Sequence, residues 1–109
     1  MTTQDKNIAI AEMLRPKYIG YFKESLKFHS DANWQFEALD FIEKLSNDIE
    51  TYHFCMLEAV NASIRVRNNQ TGQSSFEWLS VFQKGYHQWT RKEAIFEALY
   101  QFSQYLKNK

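Results

Sequence analysis

Apolar residues recur at helical spacing in the second quarter of the chain. Side chains that share one face of an α-helix recur at i, i+4, i+7, i+8 and i+11. That spacing is followed by Trp34, Ala38, Phe41, Ile42 and Leu45. Ser30 or Asp31 can cap such a helix by accepting a hydrogen bond from a backbone N–H of its first turn. We therefore predict a helix from about residue 31 to about residue 45, with a polar face that carries Glu37, Asp40, Glu43 and Lys44.

A short helix is predicted near the start of the sequence, over residues 5–14. Asp5 or Asn7 can cap it, and Ile10 and Leu14 lie about one turn apart on one side. Pro16 ends it, because the residue before a proline avoids the α-helical region of backbone space.

The end of the chain predicts a second long helix. Thr90 and Glu93 form a capping box, in which each side chain accepts a hydrogen bond from a backbone N–H. Lys107 and Lys109 suit the negative end of the helix dipole. The apolar stripe consists of Ile95, Leu99, Phe102 and Leu106, flanked by Phe96 and Ser103.

Two neighbouring strands are predicted in the middle of the chain. Residues 50–58 are rich in Tyr, Phe and Cys without a helical stripe, which predicts a well-buried strand. Residues 61–67 alternate between apolar and polar side chains, which predicts a half-exposed strand. The apolar side carries Ala62, Ile64 and Val66, and the polar side carries Ser63, Arg65 and Arg67. The short link at residues 59–60 predicts an antiparallel hairpin.

Three further segments have weaker patterns. Residues 17–28 fit either an extended connector with a short strand or a helical continuation. Residues 68–75 are polar and contain Gly72, which predicts a loop. Residues 76–83 fit a third strand with Phe76, Trp78, Ser80 and Phe82 on one face, and they also fit a short helix through Phe76, Leu79 and Phe82.

These elements predict an α+β fold. It consists of a small antiparallel sheet of two to four strands packed with two long amphipathic helices and a short N-terminal helix, because these apolar faces can be buried only against each other. The strands follow one another instead of alternating with helices, which argues against a doubly wound sheet. With 109 residues the chain is too short for two independent cores, so we expect a single domain over residues 1–109.

Three stretches resemble the phage ABA-sandwich domain family. That family commonly has a Leu-x-Tyr/Phe-x-x-Ser-Trp-x-Trp entry to a helix that ends in a Glu-Lys-Ile-like run, and this chain has LKFHSDANW at residues 26–34 and ALDFIEKL at residues 38–45. The C-terminal stretch KEAIFEALYQF at residues 92–102 is similar to the family's closing helix. The chain departs from the family pattern in having one Trp at the helix entry and a longer middle region through residues 70–89. The resemblance implies a helix–sheet sandwich of phage, prophage or gut-bacterial origin, without an assigned chemistry.

Composition and charge narrow the functional classes. A hydrophobic content of 44% and an aromatic content of 17% argue against disorder. Thirteen basic and thirteen acidic residues give no net charge, which disfavours a dedicated nucleic-acid binder. Cys55 is the only cysteine, the N-terminus lacks a secretory layout, and no apolar stretch is long enough for a membrane span. We therefore expect a cytoplasmic protein.

Residues suited to catalysis or metal binding do not form a recognisable pattern. His29, His53 and His87 lie in three different elements without metal-site spacing. Cys55 lies in the predicted buried strand, where a thiol is not activated as a nucleophile. The carboxylates of Glu37, Asp40, Glu93 and Glu97 are expected to be solvated on helix surfaces. We therefore expect neither cofactor nor metal, and a non-enzymatic protein, while an enzyme site assembled from the three histidines is retained as a third hypothesis.

Two surface features suggest binding. Arg65 and Arg67 lie on one strand face, and Tyr52 or His53 of the neighbouring strand is expected beside them. Basic residues interleaved with aromatic ones on a sheet can bind single-stranded nucleic acid. The second feature consists of Trp78, Tyr86 and Trp89, large rings that suit a partner or dimer contact. The leading hypothesis is an accessory protein that acts through contacts with a protein partner or a second copy, and the alternative is a weak nucleic-acid-binding module that uses the arginine strand.

Overall fold

The computed structural model describes residues 2–14, 22–57, 61–69, 74–75 and 90–108. Three α-helices and three strands lie in these ranges, with a short 3-10 helix at Lys23–Ser25. The helices are α1 (Thr3–Met13), α2 (Ala32–Lys44) and α3 (Arg91–Lys107), and the strands are β1 (Glu50–Leu57), β2 (Asn61–Asn68) and β3 (Ser74–Ser75). The predicted α+β class is confirmed. None of the described helices is long and apolar enough to cross a membrane.

Each helix begins at a residue whose side chain caps it. Asp31 accepts hydrogen bonds from the backbone N–H groups of the first turn of α2, as predicted. The Thr90 hydroxyl accepts from the Glu93 N–H at 3.1 Å, which confirms that half of the predicted capping box. The predicted cap of α1 was wrong, because Thr2 caps this helix through a capping box with Asp5.

The strands form an antiparallel sheet in the order β1-β2-β3. β1 pairs with β2 from Glu50↔Asn68 to Leu57↔Asn61, so the predicted hairpin is confirmed. The loop predicted over residues 68–75 was too long, since Asn68 belongs to β2 and Ser74–Ser75 forms β3. The third strand predicted over residues 76–83 lies outside the described residues. In the uncertain segment 17–28, the described part contains the short 3-10 helix.

One face of the sheet packs against the helices. Tyr52 in β1 and Ala62, Ile64 and Val66 in β2 are buried on this inner face, as the alternation in β2 predicted. In β1, Tyr52 is buried on the inner face and Phe54 is half-buried, whereas His53 on the other face is exposed. The prediction of a well-buried strand was therefore correct for Tyr52 and wrong for His53.

The core joins this sheet face to the apolar faces of all three helices. Its fully buried members include two phenylalanines, Phe28 and Phe102. The ring of Phe102 lies 5.0 Å from that of Tyr52 in a T-shaped contact, which ties α3 to β1. Phe28 makes a similar contact with Trp34 at 5.1 Å. These ring contacts therefore add to a core that is otherwise mostly aliphatic.

Phe28 is buried although it lies outside the helices and strands, and two side-chain amides bind its peptide groups. Its N–H donates to Asn7 Oδ1 of α1 at 3.0 Å. Its carbonyl accepts from Gln35 Nε2 of α2 at 2.8 Å, and the same nitrogen donates to the Lys92 carbonyl of α3 at 2.9 Å. Both amide side chains are buried, so the three helices meet at this one peptide segment.

We predict that truncating a buried phenylalanine lowers the free energy of unfolding much more than truncating an exposed one. Phe102→Ala should lower the free energy of unfolding by about 3–5 kcal/mol, because it leaves a cavity in the core. Phe22→Ala, at a side chain that is 77% exposed, should change it by no more than about 0.5 kcal/mol. Urea unfolding of both variants measures the difference, and equal losses would contradict the assignment of Phe102 to the core.

Candidate functional site

The outer face of the hairpin carries the two arginines singled out in the sequence. The register places Arg65 opposite His53 and Arg67 opposite Thr51. Side chains directly opposite each other in such a pair lie about 4.5–5.5 Å apart at Cβ. Arg67 and His53 are exposed and Arg65 is half-buried. Ser63 is fully buried, so the prediction that it shares the exposure of the arginines was wrong.

Of the two aromatic residues expected beside Arg65 and Arg67, only one lies there. His53 lies beside the arginines, whereas Tyr52 lies on the inner face. The Tyr52 side chain is 4% exposed and its hydroxyl donates to Glu50 Oε1 at 2.9 Å. The expectation that Tyr52 could flank Arg65 and Arg67 was therefore wrong, because alternate residues of a strand point to opposite faces.

The outer edge of β1 meets the C-terminal end of α2. The backbone N–H groups of three alternate residues along this edge donate to side chains, Glu50 to Asn47 Oδ1 at 2.9 Å and Tyr52 to Ser46 Oγ at 3.0 Å. The third, that of Phe54, points to Glu43 Oε2 at 3.5 Å. The end of α2 therefore takes the place that a neighbouring strand would occupy at these positions.

Glu43 also connects α2 to the outer face of the sheet. Its Oε2 lies 3.1 Å from His53 Nδ1, and the side chains of His53 and Glu43 are 66% and 42% exposed. Asp40 lies one turn before Glu43 and forms an exposed ion pair with Lys44 at 2.8 Å. One further turn back, Phe36 leaves 57% of its surface exposed. An exposed row on α2 thus continues through His53 to the arginines.

We call this region, which is exposed except at the half-buried Arg65, the contact surface. It consists of Phe36, Asp40, Glu43, His53, Arg65 and Arg67. It combines an aromatic ring, two carboxylates, an imidazole and two guanidinium groups, which are side chains that bind partners by stacking and charge-assisted hydrogen bonds. The other predicted surface residues, Trp78, Tyr86 and Trp89, lie outside the described residues, as does His87.

His29 takes part in the hydrogen bonds around Phe28. Its Nδ1 lies 2.9 Å from Asn7 Nδ2, and its ring contacts Phe96 edge-on at 6.0 Å between centroids. Asn7 Oδ1 already accepts from the Phe28 N–H, so Asn7 must present its NH₂ group to His29. The hydrogen-bond partner of His29 is therefore a residue of α1 that is distant in sequence.

The acidic side chains divide between solvent and structural contacts. Glu37, Asp40 and Glu93 are exposed, as predicted. Glu97 was predicted to be solvated, but it forms a partly buried ion pair with Lys6 at 2.6 Å. Lys6 is also 5.2 Å from the centre of the Tyr100 ring, so this pair ties α1 to α3.

A carboxylate that sequence analysis did not single out lies at the start of β1. Glu50 accepts from the Tyr52 hydroxyl at Oε1 and from the Tyr105 hydroxyl at Oε2, the latter at 2.8 Å. Tyr105 is near the end of α3, so the two phenols and the carboxylate fasten that helix to the sheet. Nothing in the local spacing of Glu50 and Tyr105 indicates this contact, because the residues come together only through the packing of α3.

A cleft of about 340 Å³ separates α1 from α3. Its volume falls near the lower end of the range for small-molecule sites. The described residues that line it are Ala9, Glu12, Met13, Ser103, Gln104, Leu106 and Lys107. Among the described residues, no group of three or more His, Cys, Asp or Glu side chains is placed to hold a metal ion. Cys55 lies within β1, and its side chain is outside the described part of the chain.

Comparison with protein-family models, with curated proteins and with solved structures found no match to this chain.

We predict the tautomer of His29 from its contact with Asn7. Because the Asn7 NH₂ group must donate to Nδ1, neutral His29 should carry its proton on Nε2. A long-range ¹H–¹⁵N NMR spectrum distinguishes the two ring nitrogens. Asn7→Asp removes this donor and is the matched variant, and a protonated Nδ1 in the neutral wild-type side chain would contradict the assigned geometry.

We also predict that the Tyr105 hydroxyl stabilises the fold. Tyr105→Phe removes one hydrogen bond to the Glu50 carboxylate and should lower the free energy of unfolding by about 1–2 kcal/mol. Tyr100→Phe is the control on the same helix and should change it by less than about 0.5 kcal/mol. The loss should disappear when Tyr105→Phe is made in a Glu50→Ala background, which has no side-chain acceptor at this position, and an unchanged loss there would show that the hydroxyl acts elsewhere.

Proposed function

We propose that this chain is a non-enzymatic accessory protein of phage or prophage type that acts in the cytoplasm through protein–protein contacts. The observation that carries the proposal is the pair formed by Glu43 and His53. This pair joins the exposed row on α2 to the arginines on the sheet, so side chains of both charges and an exposed aromatic ring form one surface. Exposed aromatic rings and arginines are enriched at protein contact sites.

The positions of the two described histidines support a non-catalytic role. His29 holds Asn7 beside the Phe28 segment, and His53 lies against Glu43 on the outer face. Each is therefore engaged in a different part of the fold. The phage-type assignment is supported by the resemblance of residues 26–45 and 92–102 to the phage ABA-sandwich family.

Nucleic acid is the second candidate partner, because Arg65 and Arg67 lie together on an outer sheet face with His53 opposite. Two features favour protein instead. Tyr52, the ring that would stack on a base, lies in the core. Glu43 and Asp40 place negative charge beside the arginines, where it would repel a phosphate backbone.

The test is affinity capture from lysate of the source cell, with and without nuclease. We expect captured protein that survives nuclease, and a reduction of at least about tenfold when Arg67→Glu and Phe36→Ser are combined, as for the loss of contacts at the centre of an interface. Arg91→Glu, at an exposed arginine at the start of α3, is the matched control and should capture as the wild type does.

Two outcomes would overturn the proposal. Capture that is unaffected by the double substitution would remove the contact surface from the function. Capture of single-stranded nucleic acid would establish the nucleic-acid module instead, if two conditions hold. Its binding must depend on salt and be lost in the variant, and the captured protein must be lost on nuclease treatment.

A further inference from the structure

We infer that the occupant of the contact surface is a second copy of this chain, bound across a two-fold axis that passes near Glu43 and His53. This inference rests on the proposed function and names its partner. The inference rests on how the contact surface is divided. Its half on α2 is acidic and aromatic, its half on β2 is basic, and the two halves meet where Glu43 contacts His53.

The two halves are opposite in charge and lie on either side of this junction. On one side are Asp40 and Glu43, with Lys44 paired to Asp40 and with Phe36 further along the helix, so this side keeps one net negative charge. On the other side are Arg65, opposite His53, and Arg67, two residues further along β2. Asp40, Glu43 and Arg67 are exposed, so their charged groups are accessible from outside.

A two-fold contact requires a surface that is complementary to itself. Rotation about an axis near the junction places the acidic half of one protomer on the basic half of its partner, and the reverse contact follows by symmetry. Asp40 then faces the partner's Arg67, and Arg67 faces the partner's Asp40. Each contact is made twice, which doubles its contribution.

The individual side chains suit this arrangement. The ion pair of Asp40 with Lys44 is exposed, and such pairs contribute little, so Asp40 can turn to a guanidinium at small cost. Guanidinium groups bind carboxylates through two parallel hydrogen bonds and also stack on aromatic rings. Phe36 lies one turn beyond Asp40, where it meets the stems of the partner's arginines. The absence of net charge on the chain means that two copies do not repel each other at long range.

Sedimentation velocity with charge-reversed variants tests the inference. We expect the wild type to dimerise, with weaker association in high salt because exposed charges are screened. Arg67→Glu and Asp40→Arg should each raise the dimer Kd by at least about tenfold, since each substitution creates two like-charge contacts. Mixed in equal amounts, the two variants should associate again. In the mixed dimer the glutamate introduced by Arg67→Glu faces the arginine introduced by Asp40→Arg, so both contacts regain opposite charges.

Two controls separate charge complementarity from loss of folding. Circular dichroism should show that both variants keep the wild-type helix content, since both positions are exposed. Arg91→Glu should leave the dimer Kd unchanged, because Arg91 lies outside the contact surface. A mixture that stays as monomeric as its separate components would overturn the inference, and so would a wild type that remains monomeric at about 1 mM, the weak end of specific association.

The result is distinguishable from failure of the proposed function. A monomeric wild type whose capture of a different protein depends on Arg67 would overturn the second copy as the occupant and leave the interaction module standing. If the wild type is monomeric and its capture of other proteins does not depend on Arg67 or Phe36, both the second copy as occupant and the proposed function are overturned.

Discussion

The fold depends on how the buried peptide groups of Phe28 are satisfied. A backbone segment outside regular structure has no ladder of partners, and an unpaired buried N–H or carbonyl costs about 1–3 kcal/mol. Here Asn7 accepts from the N–H and Gln35 donates to the carbonyl, and Gln35 reaches the first turn of α3 with the same nitrogen. One constraint on a single residue therefore fixes the relative positions of three helices.

The position of α2 then determines what the molecule presents to its surroundings. With its N-terminal half held at Phe28 and α3, its C-terminal end lies along β1. Glu43 is thereby brought to His53, and the exposed row on the helix becomes continuous with the outer face of the sheet. The proposed contact surface is in this sense a product of the same packing that buries Phe28.

Local patterns in the sequence predicted the elements well. Periodicity and capping residues located α2 and α3, and alternation identified the two faces of β2, because these signals are carried by neighbours within a few residues. The expected hairpin placed the arginines beside the neighbouring strand, with either Tyr52 or His53 next to them. The ambiguity between His53 and Tyr52 was settled only by the register, which a single strand does not contain.

The contacts between the helices and strands were harder to predict from the sequence. Glu50 meets Tyr105 across about half of the chain, and Lys6 meets Glu97 across most of it. Asn7 and Gln35 did carry a signal, since each occupies an apolar-face position, three residues before Ile10 and Ala38 respectively. A polar amide at such a position indicates a buried hydrogen bond, although the sequence does not reveal its partner.

The side chains along the edge of β1 have a consequence for solubility. An uncovered edge strand is a template on which other extended chains can add, which leads to fibrils and amorphous precipitates. In this protein Asn47, Ser46 and Glu43 occupy the N–H groups of Glu50, Tyr52 and Phe54, so an incoming strand would first have to displace them. The last turn of a helix and the residues after it thus act as a cap against aggregation, and a charged carboxylate forms part of that cap.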